Sequence, residues 1–158
     1  MHKVGNSIDI HRLVKGNGIV LGGVHIPCEY KLEAHSDGDV VLHALTEAIF
    51  GALGSSDLGE HFPDNDPIYQ GMDSSYFVNE ALKLLKHSGY HLVNIDCSIS
   101  LENPKLGKYK ELIKENIAKL TSLNKKDIAI KAGTFEKVGP IGHNEAVLAW
   151  VVVLIENS

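Results

Sequence analysis

The longest apolar run in the chain covers residues 146–155, and it restricts the possible folds more than any other segment. The run is far shorter than the ~20 residues that a membrane-spanning helix needs. A short, continuously apolar run is typical of a strand whose two faces are both covered. We therefore predict a strand over residues 144–155. In a chain of 158 residues, coverage of both faces suggests a second subunit as well as the chain's own helices.

The rest of the chain predicts strands and helices in alternation. Apolar residues at three- and four-residue spacing indicate helices after Asp39, over residues 74–88 and after Lys105. Strands are predicted over residues 3–11, 19–21, 24–26, 91–101 and 127–132, and loops over residues 27–36 and 51–67. The resulting order, β-ββ-α-α-β-α-β-β, predicts a two-layer α/β fold in which one mixed β-sheet is covered by helices on one face. We expect residues 1–158 to form a single domain.

Composition argues against several classes of partner. The formal net charge is −5 and the lysines and arginines are scattered, so the chain lacks the basic footprint of a nucleic-acid-binding protein. The first residues include no apolar signal region, and we expect a cytoplasmic protein without a membrane partner. Cys28 and Cys97 lie outside any C-x-x-C spacing and suggest a reducing compartment, although the sequence leaves open whether they pair.

A strand and a helix each carry potential metal ligands. In the first predicted strand, Asp9 and His11 point to one side, since alternate side chains of a strand share a face. Asp39, His43 and Glu47 share one face of the first predicted helix. Taken alone, that helix is more simply interpreted as having a solvated polar face with a surface histidine. Together with Asp9 and His11, however, His43 completes the two imidazoles and one carboxylate of a catalytic zinc site.

The segments around this helix add a candidate for anion binding. His35 precedes the helix N-terminus, and it is either an exposed loop histidine or a phosphate contact. Asp37 and Asp39 would repel a phosphate unless a cation lay between them, which is a further indication of a metal. The loop over residues 51–67 is rich in Gly, Pro and Asp. It needs only turn chemistry to explain it, but it could also be a flap whose carboxylates bind hydroxyl groups.

A series of motifs across nearly the whole chain resembles, in order, the 2-C-methyl-D-erythritol 2,4-cyclodiphosphate synthase family. The motifs are SIDIHR, LGGVHIP, AHSDGDVVLHAL, DLGEHFPDNDP, NPK and KAGTFEKVG. The resemblance implies a metal-dependent intramolecular phosphoryl transfer in the non-mevalonate isoprenoid pathway. It would convert 4-diphosphocytidyl-2-C-methyl-D-erythritol 2-phosphate to 2-C-methyl-D-erythritol 2,4-cyclodiphosphate and release CMP. It also implies a homotrimer whose sheets face one another around a central axis, with active sites between subunits.

The resemblance assigns roles to individual residues. Asp9, His11 and His43 match the zinc ligands, and Glu136 matches the ligand of a second cation, Mg²⁺ or Mn²⁺. His35 and Thr134 match the catalytic residues that stabilise the transition state. Contacts to the phosphates, sugar, polyol and cytosine are implied for Asp9, His11, His35, Ser36, Asp57, Leu58, Gly59, Phe62, Pro63, Asp64, Asn65, Asp66, Leu101, Pro104, Lys105, Leu106, Gly107, Ala132, Gly133, Thr134, Phe135, Glu136 and His143.

Two positions depart from the family pattern. His143 stands where an arginine is frequent, and an imidazole is a weaker, pH-dependent phosphate contact. Trp150 stands where the family often has a carboxylate facing the central channel of the trimer, which argues against an isoprenoid diphosphate ligand there. Two other functions stay open at this point: a zinc-dependent hydrolase of nucleoside diphosphate esters, and a non-catalytic, metal-stabilised trimer that binds nucleotides.

Overall fold

A five-stranded mixed sheet forms the centre of the fold. The computed structural model describes all residues, 1–158. The strands of the sheet are β1 (His2–Lys15), β4 (Tyr30–Glu33), β5 (Tyr90–Ser100), β6 (Ile128–Gly133) and β7 (Ala146–Asn157), and their order across it is β4-β1-β7-β5-β6. Only the β5–β6 pair is parallel. The two remaining strands, β2 (Ile19–Leu21) and β3 (Val24–Ile26), form a separate antiparallel ribbon.

Helices cover one face of this sheet, as predicted. They are α1 (Val40–Ala52), α2 (Leu58–His61), α3 (Ser75–His87), α4 (Lys110–Thr121) and α5 (Gly139–Gly142), with 3₁₀ turns at Pro67–Tyr69 and Lys125–Asp127. α1 packs on β1 and β7, and α4 packs on β6. No helix is both long enough and apolar enough to cross a membrane. Cys28 and Cys97 are both free thiols.

The approach of α1 to β1 is unusually close. A Cβ atom added at Gly5 in β1 would lie 1.9 Å from the backbone oxygen of Ala48 in α1. Only glycine therefore allows this spacing. Nearly every residue of α1 is buried, including His43 at 8% exposure, which overturns the simpler interpretation of a solvated polar face.

The opposite face of the sheet is open to solvent in the single chain and carries several exposed apolar side chains on β1 and β7. Along β7, Val151 and Val153 are fully buried under the helices, whereas Trp150 and Val152 are 49% and 38% exposed. The chain's own helices thus cover one face of this strand, and coverage of the other face by a second subunit stays a prediction. We call the exposed side the outer sheet face; its apolar residues are Val4, Ile8, Ile10, Trp150 and Val152.

Several element boundaries differ from the predictions. β4 lies inside the predicted loop 27–36, where Arg12 in β1 pairs with Glu33. A four-residue edge strand is too short for its alternation to be recognised in the sequence. The predicted loop 51–67 contains the end of α1, the short helix α2 and a 3₁₀ turn. The helix expected after Lys105 begins only at Lys110.

Candidate metal centre and substrate cleft

Three side chains from two elements converge on one point. Asp9 and His11 project from the inner side of β1, as their alternation predicts, and His43 projects from the second turn of α1. Asp9 Oδ2 lies 3.1 Å from His11 Nε2 and 3.2 Å from His43 Nδ1, and the two ring nitrogens are 3.3 Å apart. These three side chains are close enough together to hold one metal ion, and we call them the metal cluster.

The separations within this cluster fit a zinc ion. Zinc binds nitrogen and carboxylate oxygen at ~2.0–2.1 Å, so neighbouring ligands of a tetrahedral ion lie about 3.3 Å apart. The observed separations of 3.1, 3.2 and 3.3 Å are close to that value. The donor set of two imidazoles and one carboxylate leaves the fourth position of a tetrahedral ion free for another ligand.

The cluster also perturbs the protonation of its members. Burial alone would raise the pKa of Asp9, but its close contacts with the His11 and His43 rings outweigh it and lower that pKa to about 2. Burial opposes protonation of His11 as well, yet the bond to Asp9 raises the His11 pKa above its ordinary value. A metal ion entering the cluster must therefore compete with a proton for the His11 ring.

Asp39 has a structural position rather than a place in the metal cluster. Its carboxylate caps α1 through Leu42 N (3.0 Å) and accepts hydrogen bonds from Gly22 N (2.9 Å) and Gly23 N (2.7 Å). Burial raises the pKa of this fully buried carboxyl to about 6. Asp37 is also held by backbone donors, since Ser74 N (2.9 Å) and Asp39 N (3.0 Å) donate to it. Neither carboxylate lines the cleft, and both accept hydrogen bonds from protein donors, so the metal inference rests on Asp9, His11 and His43 rather than on these two groups.

A cleft of about 300 Å³ opens beside the cluster, a volume at the lower end of small-molecule sites. Many of the predicted substrate contacts line it: Asp9, His11, His35, Ser36, Leu58, Gly59, Phe62 and Asp64, together with His43. Ala34, Glu47, Tyr69 and Phe77 also line it and were not predicted as site residues. Phe77 belongs to the apolar stripe of α3, and that pattern alone indicates core packing. In the structure its ring meets His43 edge-on, with 5.7 Å between ring centroids.

Glu47 ties the predicted flap to the rest of the site. Its Oε1 accepts a hydrogen bond from Leu58 N (3.2 Å), and its Oε2 accepts one from the Ser7 hydroxyl (2.9 Å). On the other side of the cleft, His35 Nε2 lies 3.1 Å from the backbone oxygen of Asp66. Because a carbonyl oxygen only accepts, His35 donates its Nε2–H there. Both contacts hold the segment over residues 57–66 against the cleft.

The other predicted site residues lie apart from this cleft. A second cleft of about 170 Å³ is lined by the predicted residues Leu101, Lys105, Leu106, Gly107, Ala132, Gly133 and Thr134, together with Lys110. Glu136 is exposed and contributes nothing to the metal cluster; its backbone N–H donates to Thr134 Oγ1 at 3.3 Å. Neither cleft is lined by Asp57, Pro63, Asn65, Asp66, Pro104, Phe135, Glu136 or His143. Within one chain, the predicted metal ligands and the predicted nucleotide contacts therefore line different clefts.

Comparison with known proteins places this geometry in a family. The YgbB family model matches residues 2–156. A 2-C-methyl-D-erythritol 2,4-cyclodiphosphate synthase from Geobacillus thermodenitrificans is 44% identical over 158 residues, which is 100% of this chain and 99% of that protein. The IspF of Plasmodium falciparum, solved as a CDP complex, superposes with a TM-score of 0.88 at 30% identity, covering 99% of this chain and 97% of that one.

A further solved structure shares the fold within a longer protein. The bifunctional IspDF of Campylobacter jejuni superposes with a TM-score of 0.95 at 35% identity, and the match covers 100% of this chain. This chain spans 43% of the length of that bifunctional protein. The profile match over residues 2–156 and the full-length relative lead to the same assignment: the chain belongs to the YgbB family of 2-C-methyl-D-erythritol 2,4-cyclodiphosphate synthases.

Proposed function

We propose that this protein converts 4-diphosphocytidyl-2-C-methyl-D-erythritol 2-phosphate to 2-C-methyl-D-erythritol 2,4-cyclodiphosphate and CMP in the non-mevalonate isoprenoid pathway. The observation that carries the proposal is the convergence of Asp9, His11 and His43 within hydrogen-bonding distance at the edge of a cleft. A full-length relative bears the name of this synthase, and a solved relative is a complex with CDP. We take residues 1–158 to be one synthase-like domain.

Zinc held by Asp9, His11 and His43 would supply a Lewis acid for a phosphoryl oxygen. The substrate contains its own nucleophile, the 2-phosphate, so the protein needs only to position two ends of a flexible molecule and to compensate their charge. The cleft residues suit that task. His35 gives its Nε2–H to the backbone oxygen of Asp66, so only its Nδ1 remains for a contact with the substrate.

We place cytosine in the second cleft, against Leu101, Lys105, Leu106 and Gly107, with a further contact from Pro104 next to the cleft. Thr134 would stabilise the transition state, and Glu136 would bind Mg²⁺ or Mn²⁺ between the phosphates. Asp57, Gly59 and residues 62–66 would contact ribose and polyol hydroxyls. Further contacts would come from Ser36, residues 132–133, Phe135 and His143.

We also propose that the active unit is a homotrimer with sites between subunits. Two observations support this assembly. Within one chain the cleft beside the metal cluster and the second cleft have no lining residue in common. A substrate that contacts both would then bind the first cleft of one subunit and the second cleft of its neighbour. The outer sheet face also exposes five large apolar side chains, and exposed apolar groups of this kind are typical of protein–protein interfaces.

The test is a turnover assay on the zinc-loaded protein with the cytidylyl substrate. We expect CMP and a cyclic product that contains no oxygen from labelled water; incorporation of solvent oxygen would instead indicate a hydrolase. His43→Ala should lose zinc and turnover while keeping the oligomer intact. His87→Ala, on the exposed end of α3, is the matched control and should keep both. If His43→Ala instead dissociates or unfolds and the wild type releases no CMP, a metal-stabilised binding module is the better interpretation.

A further inference from the structure

The far side of the His43 ring is held by a hydrogen-bonded chain that leads away from the metal cluster. Ser74 Oγ lies 2.7 Å from His43 Nε2, and the Ser74 hydroxyl also contacts Asp37 Oδ1. Ser74 is completely buried, and its backbone N–H donates to the other Asp37 oxygen at 2.9 Å. The order of contacts is therefore Asp37, Ser74, His43 and then the metal cluster.

The position of Ser74 makes this arrangement informative. Ser74 directly precedes α3 with a helical backbone, and it is Asp73 Oδ1 that accepts a hydrogen bond from the first N–H of the helix, Ser75 N, at 2.9 Å. The Ser74 side chain makes no capping bond. The hydroxyl is directed at His43 in α1 and at Asp37 in the segment before α1. Local helix stability therefore does not explain the orientation of this side chain.

The available donors and acceptors fix the direction of each hydrogen bond between Asp37, Ser74 and His43. Asp37 is a carboxylate that already accepts from two backbone N–H groups, so it accepts from the Ser74 hydroxyl as well. Ser74 has a single O–H, which is used by Asp37, and its oxygen must accept from His43. His43 therefore carries its proton on Nε2. The lone pair of the neutral ring is then on Nδ1, the atom that lies 3.2 Å from Asp9 and 3.3 Å from His11.

We propose that Ser74 and Asp37 are positioning residues that hold the His43 ring with its Nδ1 lone pair directed at the metal. The inference rests on the proposed metal site and extends it outward by two side chains. Ser36 Oγ, 3.1 Å from the same Nε2, is a second acceptor on the cleft side and limits rotation of the ring. Outer partners of this kind typically change metal affinity by ~10–100-fold.

The test measures zinc affinity by competition with a chromophoric chelator. Ser74→Ala should weaken zinc binding by ~10–100-fold, because the ring loses the acceptor that selects its tautomer. Asp37→Asn should weaken it too, since its amide can donate to Ser74 and turn the serine into a donor toward His43. Ser75→Ala, the same substitution one residue further along α3, is the matched control and should bind like the wild type. Equal affinity of Ser74→Ala and Ser75→Ala would overturn the proposal.

A second measurement does not depend on the variants folding. Nitrogen-15 spectra of the zinc-loaded wild type report which nitrogen of His43 binds the metal and which carries the proton. We expect the proton on Nε2, and a proton on Nδ1 would overturn the inference. This result also separates the two proposals. If the wild type fails to bind zinc, the proposed function fails, whereas a Nδ1 proton in a zinc-binding wild type refutes only the role of Ser74 and Asp37.

Discussion

Replacing Gly5 by alanine should both destabilise the fold and weaken the metal centre. The added Cβ would lie 1.9 Å from the Ala48 oxygen and 2.6 Å from the Ala52 nitrogen, both backbone atoms of α1. Contacts below 3.0 Å are not tolerated, so the helix and strand must separate by at least 1.1 Å (3.0 minus 1.9). Overpacking of this kind costs ~1–3 kcal/mol. For a chain of this length that lowers the melting temperature by roughly 2–12 °C.

The same displacement reaches the metal ligands. Asp9 and His11 are on the strand that carries Gly5, and His43 is on the helix that must move. Nδ1 of His43 is now 3.2 Å from Asp9, so a separation of the two elements takes the ligands out of range of one ion. A misplacement of ~1 Å in a site of this kind can cost on the order of 100-fold in function. We expect a loss of zinc affinity of about that size.

Thermal unfolding of the metal-free protein and a zinc titration measure both effects. Gly51→Ala is the matched control, because it places the same methyl group on α1 with only the Asn6 oxygen nearby, at 3.9 Å. Alanine inside a helix is favoured over glycine by ~0.5–1 kcal/mol, so this control should be slightly stabilised. If Gly5→Ala matched Gly51→Ala in stability and zinc affinity, the close approach of α1 to β1 would not be what positions His43.

Three further outcomes are expected. The rise in melting temperature caused by zinc should grow as the pH increases. The raised pKa of His11 stabilises the metal-free fold at low pH, and this contribution is lost as the pH rises through that pKa, whereas zinc binds only the neutral ring. A zinc effect that is constant across pH would contradict this. Val152→Glu should lower the mass seen in sedimentation and abolish turnover, while Lys83→Glu on exposed α3 should change neither; an unchanged mass for Val152→Glu would exclude the outer sheet face as the interface. Glu47→Ala should speed hydrogen exchange of the Leu58 amide by ~5–10-fold, the equivalent of about 1 kcal/mol, and unchanged exchange would mean that Glu47 does not hold the flap.

The orientation of each metal ligand on its own element could be predicted from the sequence. Alternation in β1 puts Asp9 and His11 on one side, and helical spacing puts His43 one turn into α1. The same helical spacing also suggested that Asp39 and His43 act together. In the structure Asp39 instead caps the helix and binds Gly22 and Gly23, because a buried carboxylate takes the nearest backbone donors.

The sequence could not predict which side chains support the ligands. Ser74 is separated from His43 by 31 residues and from Asp37 by 37. In the sequence it is an ordinary helix N-cap serine, and only packing of α3 beside α1 turns its hydroxyl toward the imidazole. Glu47 likewise matches a polar helix face, and its contact with Leu58 depends on how the flap folds back.

By itself the sequence determined the type of the longer helices and strands, the α/β class and the chemical identity of the candidate metal ligands, because alternation, helical spacing and residue type are local properties. The tertiary structure alone decided that Asp9, His11 and His43 meet and that the helices cover a single side of β7. It also decided that residues predicted to contact the nucleotide line a separate cleft. These are matters of distance between remote segments. They depend on strand register and on the close contact at Gly5, which no pattern within one segment encodes.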